Sequence, residues 1–153
     1  MIEGPRFGEV PRGDDFRRRP GAYGIAIRDD KVLLVRAHRN YFLPGGGRRR
    51  GEPGEAALLR EISEETGHSV VACSLAAAAE QVVWLSDRSE WVVKECLFFQ
   101  CDLGSESDGG AEDDHHALWV PLTEAPGLLA EAASAWAVTM VAENRRADGA
   151  AEA

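Results

Sequence analysis

The amino-acid sequence predicts a single α/β domain in which helices flank a mixed β-sheet. Three observations lead there. β-branched and aliphatic residues run from Ala22 to Ile27 and from Lys31 to Val35 on either side of Asp29-Asp30, the pattern of a two-stranded hairpin. Residues 53–66 carry apolar side chains at helical spacing between a proline and Gly67. Two longer apolar stretches, Val70 to Leu85 and Trp91 to Leu103, read as strands reversed at Asp87-Arg88-Ser89.

Size and charge narrow the class. A chain of 153 residues, 44% hydrophobic and 28% charged, suits one domain. A chain that long buries roughly two thirds of its unfolded surface. Its formal charge of -9 repels phosphate backbones and anionic lipid surfaces, so a nucleic-acid polymer or a membrane is not the expected partner. The longest uncharged stretch, Thr66 to Ala79, falls short of the ~20 apolar residues of a membrane helix. The N-terminus has no continuous apolar core of the kind a signal peptide needs. Cys73, Cys96 and Cys101 make an odd set without CxxC spacing, which reads as reduced thiols in a cytoplasmic protein.

Residues 1–20, with five arginines and three prolines, read as an irregular N-terminal arm, and the domain is expected over 21–145. After the hairpin, Tyr41 to Leu43 forms a short strand. Pro44-Gly45-Gly46-Gly47 then breaks regular structure, and Glu52-Pro53 opens a helix that runs to Thr66 and ends on a left-handed Gly67. Beyond the two long strands, Gly104 to Asp114 is a polar surface loop. Leu118 to Leu122 is a short strand, Leu128 to Asn144 a helix, and 146–153 a frayed tail.

The helix from 53 to 66 carries the most information. At 100° per residue Leu58, Leu59, Ile62 and Thr66 form one stripe, which faces the core. Glu61, Glu64 and Glu65 share the adjacent face, beside the small residues Gly54 and Ala57. Like charges at i, i+4 destabilise a helix by roughly 0.2 to 0.5 kcal/mol per pair. The helix dipole also disfavours acids in its last two turns. Arg60 can reach Glu64 but cannot neutralise three carboxylates. A hard divalent cation can, since Mg²⁺ takes oxygen ligands and bridges carboxylates to phosphates. A solvated acidic face is the alternative reading of these residues alone.

The upstream loop decides between them. Gly46, Glu52 and then Arg60-Glu61-Ile62-Ser63-Glu64-Glu65-Thr66-Gly67 follow the spacing GX5EX7REUXEEXGU, with U apolar. This segment resembles the Nudix box of the Nudix hydrolases, MutT-like proteins among them. Tyr41 to Gly46, YFLPGG, resembles the lead-in common in that family. Over Gly46 to His68 the final position alone departs, with His68 where the family has an apolar residue.

The resemblance implies an α/β/α sandwich around a mixed sheet and hydrolysis of a nucleoside diphosphate linked to a further group X. It implies Mg²⁺ or Mn²⁺ as the cofactor, held by Glu61, Glu64 and Glu65 with the carbonyl of Gly45 as a further ligand. Arg60 orients the glutamates and Glu52 ties loop to helix. The general base is either Glu61 or an acid from the later loop, Glu112, Asp113 or Asp114. Arg48 and Arg49, with Arg50, could contact phosphate oxygens, and Tyr41 or Phe42 could stack on a base. Solvated arginines and an inward-packed aromatic are the alternatives. His38, His68, His115 and His116 lack zinc spacing. A small nucleotide is therefore the expected partner, and many family members also form homodimers. The competing class is a Nudix-fold module that holds a nucleotide without cleaving it; such relatives usually lack a box glutamate, and this chain has all of them.

Overall fold

The computed structural model describes residues 3–106 and 116–152. Along the chain these form β1 (Arg6–Phe7), β2 (Phe16–Arg28), β3 (Lys31–Ala37), β4 (Asn40–Phe42), β5 (Gly45–Gly47) and α1 (Gly54–Thr66). There follow β6 (His68–Leu85), β7 (Glu90–Glu106), β8 (His116–Pro121), α2 (Ala125–Leu128) and α3 (Ala132–Glu152). Asp29 and Asp30 take positive φ values of 53° and 59°. That matches the twist of a tight hairpin turn, and short Asp side chains tolerate it better than most.

The sheet is mixed. Its order is β1-β6-β7-β2-β3-β4, with β5 paired to β2 and β8 paired to β3. β2 runs parallel to β7 from Phe16↔Trp91 to Ala26↔Cys101, while β6 and β7 form a long antiparallel hairpin. Strand alternation then divides the core in two. Ala22, Ala26, Leu33, Phe99 and Cys101 meet Ala57, Leu58 and Ile62 of α1 on one face. Tyr23, Ile25, Val32, Leu34, Cys96 and Phe98 meet Ala133, Ala137, Val138 and Val141 of α3 on the other. The result is the expected layer of sheet between helices. Leu58 and Ile62 are both fully buried, and each such side chain contributes about 1.5–3 kcal/mol of hydrophobic stabilisation.

The structure differs from the sequence reading at several elements. The expected irregular arm contains β1 and the first five residues of β2, because cross-strand carboxylates neutralise its arginines. Arg17 bonds Glu90 at 2.9 Å, Arg6 bonds Glu80 at 2.9 Å, and Arg18 bonds Glu80 and Glu95, the latter at 3.4 Å. Gly45–Gly47, expected to break regular structure, pairs antiparallel with Gly21–Tyr23. Gly45 has φ 145°, and a Cβ there would lie 2.2 Å from the carbonyl oxygen of Ala22. Leu59 leaves the core stripe and is 43% exposed, since buried Glu65 and Thr66 mark the stripe's other side. The last helix begins after the separate turn α2 and runs on to Glu152, where a frayed tail was expected.

The cysteines are free, Cys96 and Cys101 buried and Cys73 half-buried. His68 is buried; its Nδ1 is hydrogen-bonded to the carbonyl of Gly104 at 3.2 Å, and its ring meets Trp119 edge-on. The imidazole thus fills an apolar position with its polar atom satisfied. Among the described residues no helix is long and apolar enough to cross a membrane.

Candidate active site

α1 begins after Pro53, whose extended backbone suits the entry to a helix, and ends on Gly67 at φ 76°. Its core stripe seats Leu58 and Ile62 on the sheet. That anchoring presents Arg60, Glu61 and Glu64 along the loop that precedes the helix. Gly24 makes the close seating possible, because a Cβ there would meet Ile62 Cδ1 at 2.7 Å.

Arg60 is the hub. It donates to Glu52 through Nε at 3.0 Å and Nη2 at 2.9 Å, to Glu61 through Nη1 at 2.8 Å, and to the Gly47 carbonyl at 3.2 Å. Its Nη1 also lies 3.7 Å from Glu64. Glu52 in turn accepts the Arg49 backbone N–H at 2.9 Å. The Arg60 guanidinium, with the Arg49 N–H second, pulls the Glu52 carboxyl from 4.5 down to about 2. Loop and helix are thus joined by charge-assisted hydrogen bonds.

The three box glutamates take separate environments. Glu65 is buried and accepts the Gly45 N–H at 2.9 Å. The Glu61 carboxylate lies against the Cα of Gly46, where a Cβ would approach its atoms to 2.8–3.0 Å. Glu64 is 42% exposed. Among the described residues no three His, Cys, Asp or Glu side chains gather as a metal cluster. Helical spacing brings the three to one end of α1, but the Gly45 N–H draws one inward and Arg60 holds another. Their chemistry, hard oxygens within one helical turn beside a glycine loop, fits a divalent cation of the Mg²⁺ type.

A cleft of ≈ 230 Å³ opens beside Gly45, Gly46 and Glu65. Of its other walls the sequence reading named Phe42 as a stacking candidate, but not Arg19, Tyr23, Lys94 or Glu131. Burial pushes the Tyr23 hydroxyl up to about 12, so it stays protonated. Phe42 faces this cleft. Tyr41, its neighbour on the opposite face of β4, packs against the α3-side core and stacks under Arg36 at 5.8 Å. Arg48, Arg49 and Arg50 are exposed and line a separate groove with Pro20, Gly51, Glu52 and Pro53. Glu112, Asp113 and Asp114 lie outside the described residues, as does His115. Alternation along β2 and β7 could have flagged Arg19 and Lys94, had the arm been recognised as a strand.

A family model described as NUDIX domain matches residues 17–142. In fold the chain is similar to a NUDIX hydrolase from Nitrosomonas europaea, with TM-score 0.70 and 19% identity over 84% of this chain and 90% of that one. It is also similar to a MutT NUDIX hydrolase from Burkholderia pseudomallei, with TM-score 0.64 and 26% identity over 82% and 98% of the two chains. In sequence it is 28% identical over 112 residues to the "Putative 8-oxo-dGTP diphosphatase" of Bacillus subtilis, covering 71% of this chain and 68% of that protein. A 49-residue stretch is 47% identical to the "ADP-ribose pyrophosphatase" of Methanocaldococcus jannaschii and spans only 29% of either protein. The chain belongs to the NUDIX family. Its class is that of the Nudix hydrolases, enzymes acting on phosphoanhydride bonds.

Proposed function

We propose that this protein is a divalent-metal-dependent pyrophosphohydrolase that cleaves a nucleoside diphosphate linked to a group X, with a nucleoside triphosphate as the favoured substrate. The observation that carries the reading is the Arg60 network, which ties Glu52, Glu61 and Glu64 to one guanidinium while Glu65 holds the glycine loop. The longer of the two sequence matches supports a triphosphate over ADP-ribose, since it extends over 112 residues against 49.

Glu61, Glu64 and Glu65, with the Gly45 carbonyl, are the groups that would hold Mg²⁺ or Mn²⁺. When bound, such an ion screens the diphosphate, polarises the P–O bond and lowers the pKa of water. Arg60 holds one Glu61 oxygen, and the carboxylate lies beside Gly46, which borders the cleft. Glu61 then serves as general base: it takes a proton from water as the water oxygen bonds to phosphorus and the P–O–P bond breaks, leaving two phosphate products. Arg19, against Gly47 at the cleft mouth, contacts a phosphate oxygen. Arg48 and Arg49 extend that positive rim along the neighbouring groove.

The test is a panel of nucleoside triphosphates, ADP-ribose, nucleotide sugars and diadenosine polyphosphates, assayed with and without Mg²⁺ or Mn²⁺ and repeated with Glu65→Gln. Metal-dependent turnover of a triphosphate that the variant loses is the expected result. Turnover that survives in metal-free buffer or in the variant would overturn the mechanism, and a folded wild type inert toward the whole panel would overturn the activity.

A further inference from the structure

Lys94 of β7 and Glu131 form an ion pair whose Nζ–Oε distances are 2.7 and 3.0 Å, with side chains only 13% and 14% exposed. As a device for stability such a pair is weak, because desolvation cancels much of the attraction. Its location gives it another use. Both side chains line the cleft that Gly45, Gly46 and Glu65 border. Lys94 shares a sheet face with Cys96 and Phe98, so strand alternation points it toward α3. The Glu131 carbonyl accepts the Ala135 N–H at 3.1 Å. The residue therefore caps α3, and the helix dipole favours its carboxylate there.

The pair is a combined donor and acceptor of fixed geometry. After two hydrogen bonds to Glu131, the Lys94 ammonium keeps a third N–H, and the carboxylate keeps lone pairs on both oxygens. Phe42, lining the same cleft, supplies an aromatic face on which a flat ring can stack. A cleft of ≈ 230 Å³ is smaller than the pockets of roughly 300–1,000 Å³ that enclose whole drug-sized ligands, so it admits the base end of a nucleotide.

We propose that Lys94 and Glu131 read the Watson–Crick edge of the substrate base and select a 2-amino-6-oxopurine; this rests on the reading of the chain as a nucleotide hydrolase. Guanine sets N1–H and N2–H side by side for the carboxylate and O6 for the ammonium. Hypoxanthine lacks the 2-amino donor. Adenine turns the N1 acceptor toward the carboxylate, and cytosine does so with N3 and O2. Each mismatch forfeits a hydrogen bond to the Glu131 carboxylate, and adenine and cytosine also set an acceptor against its negative charge.

Binding of dGTP, dITP and dATP is measured by calorimetry in EDTA, and their turnover separately with Mg²⁺. Wild-type protein is expected to bind dGTP at least about tenfold tighter than dITP or dATP, the scale of one hydrogen bond to a charged group. Glu131→Gln replaces one acceptor oxygen with an amide donor, so the dGTP/dITP ratio falls toward one, through KM and not kcat. Lys94→Arg keeps a cationic donor and retains the preference. Equal binding of the three nucleotides by wild type, no binding of any, or a ratio unchanged in folded Glu131→Gln overturns the proposal. Selective binding without turnover supports this inference while refuting the hydrolase reading. Should Glu131→Gln fail to fold, the wild-type dGTP/dITP comparison decides alone.

Discussion

Arg60 and Glu52 meet through two parallel hydrogen bonds, Nε to Oε2 at 3.0 Å and Nη2 to Oε1 at 2.9 Å, which clamp the loop before α1 to the middle of the helix. Both residues belong to the box, and neither lines the cleft. Their work is to hold the others.

That clamp has a pH signature. The Glu52 carboxyl is lowered from 4.5 to about 2, first by the Arg60 hydrogen bonds. A depressed carboxyl stabilises the fold above its unfolded pKa and loses that contribution as pH falls toward the folded one. Urea midpoints of wild type and Glu52→Gln should therefore differ at pH 6 and converge between about pH 4.5 and 2. A gap that stays constant down to pH 2 contradicts the clamp.

Gly45 tests the backbone of the loop. Its φ of 145° and the 2.2 Å approach of an added Cβ to the Ala22 carbonyl leave no room for a side chain. Gly45→Ala should lower stability by about 1–3 kcal/mol, the cost of a strained backbone. It should also impair turnover, since the same N–H seats Glu65. Chemical denaturation and kcat/KM, measured on one preparation, check both.

Glu64 and Glu65 should separate chemistry from folding. Glu64 is 42% exposed, so Glu64→Gln is expected to leave stability within about 0.5 kcal/mol while weakening metal-dependent activity about 100-fold. Glu65→Ala removes the acceptor of the Gly45 N–H and should in addition cost about 1–3 kcal/mol. Mn²⁺ titrations of activity alongside melting curves distinguish the two. Equal melting losses would contradict the assigned burial.

Phe42 and Tyr41 make a matched pair one residue apart. Phe42→Ala removes a cleft wall and should raise KM by roughly 5- to 100-fold, the range of lost base stacking. Tyr41→Ala instead empties space against the α3-side core and should lower stability with little change in KM. Steady-state kinetics and urea melts on the two variants would show the opposite pattern if the cleft lay on the other face.

What could be read in the sequence was local. The spacing from Gly46 to Gly67, the proline and glycine bounding α1, the Asp29-Asp30 turn and the reversal before Trp91 all concern residues a few positions apart, and each is found in the structure. Relations across the sheet were out of reach. Arg17 and Arg18 look like an unstructured basic run until Glu90, Glu80 and Glu95 arrive from other strands to neutralise them. The glycine run after Pro44 looks like a break until β2 comes close enough to pair with it.

The sequence by itself determined the class of this protein and the helix on which its chemistry turns, because the carboxylates, the arginine and the glycines of that unit are set by spacing along one short segment. Tertiary structure alone decided which glutamate is buried, which aromatic faces the cleft, and that Arg19, Lys94 and Glu131 stand around it. The reason is physical: these residues come from β2, β7 and the start of α3, and only the pairing of β2 with β7 and the docking of α3 bring them together.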